Sequence, residues 1–174
     1  AVDECFLDFV PSPEQYTLKE YLETCDHLFL LKAFTKRYAM AGVRLGYGLC
    51  GNKGLLEKME SMCQPWNVSS MAQEAGLAAL QEGEYVERGR QVTFKELAYL
   101  KKELTALGYQ VYPSQANYVF FTGPQDLYEK LEQKKILIRD CSNYTGLSKG
   151  YYRVAVKNHQ DNQQFINALK EIRQ

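Results

Sequence analysis

The hydrophobic positions change period several times along the chain, and each change marks an expected element. Residues 27–34, His-Leu-Phe-Leu-Leu-Lys-Ala-Phe, form a near-continuous apolar run, the pattern of a strand buried on both faces of an α/β sheet. Residues 43–50 predict another strand, which Gly51-Asn52 turns into a helix around residues 55–62. Ahead of these, residues 1–9 read as a short strand running toward a loop. Pro11 and Pro13 then break regular structure, and residues 18–24 suit a short amphipathic helix.

Past the joint Gln64-Pro65-Trp66 the period becomes helical. Ser69 and Ser70 are placed to cap a helix whose apolar positions are Met71, Ala75, Ala78, Ala79 and Leu80. After an interruption at Gly83, residues 85–107 predict one long helix with Phe94, Leu97, Leu100 and Leu104 on its buried face and Gly108 as its C-terminal cap. The last third alternates. Residues 109–111 and 118–121 read as strands, and a helix opens at Pro124-Gln125-Asp126 and runs through residue 134. Strands at 136–139 and 152–156 flank the loop 141–150. Asp161 is placed to cap a final helix containing Phe165, Ile166, Leu169 and Ile172. The expected result is an antiparallel or mixed sheet covered by helices on one face.

Composition narrows the function classes. The 174 residues are 45% hydrophobic and 24% charged with zero formal net charge, so no global basic field points to nucleic acid or an anionic membrane surface. No apolar run approaches the roughly 20 residues of a membrane-spanning helix. Five scattered cysteines and only two histidines (His27, His159) offer no metal-ligand spacing. Free thiols in a reducing cytoplasm are expected, with no metal. Because Ala1 leads directly into an expected strand, we expect a piece of a longer protein.

Lys36 is the leading candidate for chemistry. It lies in Ala33-Phe34-Thr35-Lys36-Arg37-Tyr38-Ala39-Met40-Ala41-Gly42-Val43-Arg44-Leu45-Gly46-Tyr47, on a loop after the apolar strand. A lysine amine is a nucleophile only when neutral, so its pKa must fall from about 10.4. Bond formation with an aldehyde does that, and Arg37 and Arg44 add positive charge nearby. A lone lysine is more often simply solvated. The surrounding pattern favours chemistry.

That segment resembles the lysine motif of the class I/II aminotransferases, fold-type I enzymes that use pyridoxal 5'-phosphate. The resemblance runs from Asp3 to the final helix and is similar in particular to the histidinol-phosphate aminotransferase and threonine-phosphate decarboxylase subgroup, the latter belonging to cobalamin biosynthesis. It implies that Lys36 forms the cofactor Schiff base and that Arg44, with Thr35, holds the cofactor phosphate. Asp3, in Val-Asp-Glu-Cys-Phe, would pair with the pyridine nitrogen. Arg153 and Arg139 would bind the carboxylate and the phosphate of a phosphorylated amino-acid substrate. Family members commonly carry Ser or Thr where this chain has Ala33, and Tyr where it has Phe6.

The implied fold is α/β. Residues 1–63 would end the large cofactor-binding domain, with its last strands, and residues 64–174 would be a small α+β domain with the long connecting helix. The implied activity is transamination or decarboxylation in a cytoplasmic homodimer. The alternative is a non-catalytic α/β module for packing or dimerisation.

Overall fold

The computed structural model describes residues 1–173. By compactness the chain divides into two units, Ala1–Arg88 and a second beginning at Gly89.

The first unit is built on β1 (Val2–Asp3), β2 (Phe29–Ala33) and β3 (Gly46–Cys50), in the order β1-β2-β3. Strand β1 runs parallel to β2, with Asp3 opposite Leu31, while β3 is antiparallel to β2, with Gly46 opposite Ala33. Glycine is needed there, because a Cβ on Gly46 would lie 2.9 Å from the Lys32 carbonyl oxygen. The expectation of a strand buried on both faces is corrected. Leu30 is fully buried but Leu31 is 42% exposed, since alternate side chains leave a strand on opposite faces and this unit covers only one.

Strand β2 passes directly into α1 (Phe34–Arg37). Lys36 therefore sits in a single helical turn, not in a loop. The Phe34 amide donates to the Leu45 carbonyl at 3.1 Å, tying this turn to the chain ahead of β3. That strand starts later than expected because residues Ala41–Val43 form a 3-10 turn and Arg44 is left-handed. Residues expected as a short amphipathic helix form a 3-10 turn at Lys19–Glu23.

Helix α2 (Lys53–Met62) is capped by Asn52, whose side chain accepts from the Leu55 amide at 3.0 Å. Of the two candidate serines, Ser69 caps α3 (Ser70–Ala79), accepting from the Ala72 amide at 3.2 Å. Gly76 lets α3 approach closely: a Cβ there would lie 2.6 Å from Leu45 Cδ2.

Helix α4 (Gly83–Ala106) begins at the glycine expected to interrupt it and is followed by Gly108, whose φ of 77° suits only glycine comfortably. In the second unit β4 (Gln110–Val111), β5 (Tyr118–Thr122), β6 (Arg139–Asp140) and β7 (Tyr151–Ala155) form an antiparallel sheet ordered β4-β5-β7-β6. Of the strand expected at 136–139 only Arg139 pairs, the observed strand continuing to Asp140, and Leu137 is 70% exposed.

Helices α5 (Leu127–Gln133) and α6 (His159–Ile172) join α4 over one face. Leu97, Leu100 and Leu104 from α4, Leu127 and Leu131 from α5, and Phe165, Ile166 and Leu169 from α6 bury against Val119, Phe121 and Tyr152. Each such side chain contributes about 1.5–3 kcal/mol on burial. The buried Tyr152 hydroxyl donates to the Pro124 carbonyl at 2.8 Å.

The expected cap of α6 is also corrected. Asn158, not Asp161, is its N-cap, and its Oδ1 accepts from the Asp161 amide at 2.9 Å. Among the described residues no helix is long and apolar enough to cross a membrane.

Candidate active site

Three cations, Lys32, Lys36 and Arg37, follow one another from β2 into α1, and the unit treats them differently. Lys32 Nζ lies 2.8 Å from Glu4 Oε2, and Arg37 pairs with Asp8. Lys36 is outside both ion pairs. Its Nζ stands 5.3 Å from the centre of the Phe6 ring, a weak cation–π attraction. A cavity of ≈ 420 Å3 lies beside Ala33 and Phe34, and its charged lining residues Asp8, Lys32 and Arg37 are the ones already paired.

Asp3 ends β1. Its Oδ1 accepts from the Cys5 amide at 2.8 Å. The Cys5 thiol and amide hold the Asp3 carboxyl below the usual carboxylate range, and the charge of Lys36 pulls the same way, against a smaller effect of burial. The Cys5 thiol in turn is pushed up to about 11, by burial first and then by Asp3. Asp3 thus closes a local turn and also stands ionised in the field of Lys36.

Arg44 has φ of 59°, a left-handed conformation uncommon for a residue with a side chain. Its Nη1 donates to the Ala41 carbonyl at 3.1 Å, which uses one of five donors. Thr35, half-buried, is the neighbour of Lys36 in α1.

Glu4 was missed by sequence reasoning. It is 5% exposed and accepts from the Thr17 hydroxyl at 2.9 Å and the Leu18 amide at 2.9 Å, besides Lys32. Burial works against its ionised form, but Lys32, Leu18 and Thr17 together outweigh that, and its carboxyl lies below the usual range. The available signal was Lys32 itself, because a cation inside an apolar strand requires a partner.

In the second unit Arg139 stands directly opposite Arg153 across β6 and β7, so both occupy one face of the sheet. The Arg153 guanidinium lies 5.0 Å from the Tyr118 ring centre. That of Arg139 lies 5.7 Å from the Tyr144 ring, with Nη2 donating to Asn143 Oδ1 at 3.0 Å. Neither arginine has a carboxylate partner among the described residues. Like charges directly opposite are destabilising, and an anion bound between them reverses the sign.

Residues 1–169 match the family model for aminotransferase class I and II. The chain belongs to that family. It is 37% identical over 174 residues to histidinol-phosphate aminotransferase of Nitratidesulfovibrio vulgaris, covering 98% of this chain and 46% of the relative. It is 33% identical to threonine-phosphate decarboxylase of Salmonella typhimurium, covering 98% of this chain and 48% of that one. Among solved structures, histidinol-phosphate aminotransferase from Clostridium acetobutylicum superposes with a TM-score of 0.92 at 31% identity, over 98% of this chain and 53% of its own. The chain spans about half the length of the curated relatives it matches. The α/β fold is that of the fold-type I aminotransferases.

Proposed function

We propose that this chain is the lysine-bearing half of a pyridoxal-phosphate enzyme that acts on a phosphorylated amino acid or amine. In this reading residues 1–63 end the large cofactor-binding domain and residues 64–174 form the small one. The observation that carries it is the sorting of charges around α1: Glu4 and Asp8 take Lys32 and Arg37, which leaves Lys36 for chemistry beside an ionised Asp3.

The donor set fits the cofactor. A lysine outside the ion pairs of its neighbours Lys32 and Arg37 suits its aldehyde, an ionised carboxylate suits its pyridinium, and an arginine with spare donors suits its phosphate. When bound, the cofactor supplies an electron sink for a bond breaking at the substrate α-carbon.

The chain's own residues do the rest. Lys36 would hold the cofactor through its side-chain amine, and the free Lys36 amine would move a proton at the substrate α-carbon. Asp3 would hold the proton on the pyridine nitrogen, while Arg44 and Thr35 would hold the phosphate. Arg153 takes the substrate carboxylate and Arg139 its phosphate, a pair of bidentate donors that selects a doubly anionic ligand. A homodimer is part of the proposal.

Dialysis against pyridoxal phosphate tests the reading. With excess cofactor present the wild-type chain, which by itself binds it weakly and turns over little, shows the visible absorbance of lysine-bound cofactor and Lys36→Ala does not. No such absorbance in either protein supports instead a packing or dimerisation module, and equal absorbance in both would mean that another lysine carries the cofactor.

A further inference from the structure

We infer that Tyr118 and Tyr144 are positioning residues that seat Arg153 and Arg139 for an anionic substrate. The inference deepens the proposed function and rests on its assignment of the two arginines.

An arginine facing a like charge with no carboxylate partner gains by swinging into water, and fixing its side chain costs rotamer entropy. Both guanidinium groups nevertheless stay over aromatic rings, at 5.0 Å for Arg153 on Tyr118 and 5.7 Å for Arg139 on Tyr144. The type of partner matters. An ion pair would occupy the in-plane N–H fork, the part of an arginine that recognises a carboxylate or phosphate. An aromatic ring holds the flat face and leaves the fork open.

The sheet explains how the seat is kept. Arg153 is opposite Phe120 in the β5–β7 register, which makes Tyr118 its diagonal neighbour, within reach of long side chains. Phe120 shares the face of Tyr118. Its ring lies 5.0 Å from that of Tyr112 and 5.9 Å from that of Tyr151, a wall of rings beside the Arg153 seat. Arg139 is held by two consecutive residues, with Asn143 Oδ1 fixing one N–H and Tyr144 supplying the ring.

Two measurements on the full chain test this. The first is the Arg153 Nε–H resonance, which should carry a ring-current shift that Tyr118→Leu removes and Tyr118→Phe keeps. The second is titration with O-phospho-L-threonine. Tyr118→Leu should bind it roughly two- to five-fold more weakly with an unchanged melting temperature, and Tyr118→Phe should bind as wild type does. In an Arg153→Gln background, Tyr118→Leu should add nothing.

Equal affinity of Tyr118→Leu and wild type, with Arg153→Gln weakened, overturns the seating and leaves the arginine assignment standing. Equal affinity of Arg153→Gln and wild type overturns the assignment and the seating with it.

Discussion

Arg139 and Arg153 face each other across the β6–β7 ladder, two like charges on one face of the sheet with no carboxylate partner among the described residues. The arrangement costs stability until an anion arrives. In chloride, Arg139→Gln should therefore be as stable as wild type or up to about 1 kcal/mol more stable. Phosphate at matched ionic strength should raise the melting temperature of wild type by mass action and that of the variant much less. Thermal unfolding in the two buffers reads both effects, and an equal phosphate response would count against the paired site.

Lys32 is the ion-pair partner of the buried Glu4 carboxylate. Lys32→Met should destabilise the chain by on the order of 3 kcal/mol, because it strands that charge. Glu4→Gln should cost less, since an amide oxygen can still accept from Thr17 and Leu18. Urea midpoints give the order of the two variants. The reverse order would mean that the pair does not hold β1 to β2.

The same carboxylate sets an acid limit. Glu4 and Asp3 both lie below their usual range in the folded chain. The stability they contribute is present above their ordinary values, about 4.3 and 3.9, and is lost as pH falls through the depressed ones. Stability measured from pH 6 down to pH 3 should fall more steeply for wild type than for Glu4→Gln. Parallel curves would contradict the depression.

Arg44 occupies a left-handed backbone. Arg44→Gly relieves that strain but adds freedom to the unfolded chain, so stability should stay within about 1 kcal/mol. Cofactor retention should fall nonetheless. A glycine variant that keeps the cofactor would remove Arg44 from the phosphate site.

How much of this was legible in the sequence depends on the range of each interaction. The helical spacing of Leu97, Leu100 and Leu104, and of Phe165, Ile166 and Leu169, placed all six in the core, because that period is local. The run at 27–34 reads the same whether one face or both are covered, so the exposure of Leu31 was not in the pattern. The Lys36 motif was visible because its residues keep a fixed spacing. The Glu4–Lys32 pair was not, because it comes from a parallel register between strands far apart in sequence. The aromatic seats of the arginines were hidden for the same reason, since Tyr118 reaches Arg153 only across β5 and β7.

Capping shows the limit at short range. Asn158 and Asp161 are both good cap formers, and only the hydrogen bond from the Asp161 amide to Asn158 Oδ1 decides between them. Asn158→Ala should cost about 1 kcal/mol, and Asp161→Ala clearly less. Equal losses would show that the acidic first turn, not the cap, holds α6.

The central claim is that Lys36, set apart from the ion pairs of its neighbours, is the residue that bonds the cofactor. The direct measurement is borohydride reduction of the full chain with pyridoxal phosphate, followed by peptide mapping. The account predicts a single stable adduct on Lys36, absent in Lys36→Ala and still formed in Arg139→Gln. Label spread over surface lysines, or a dominant adduct on Lys32 or another lysine, would contradict it.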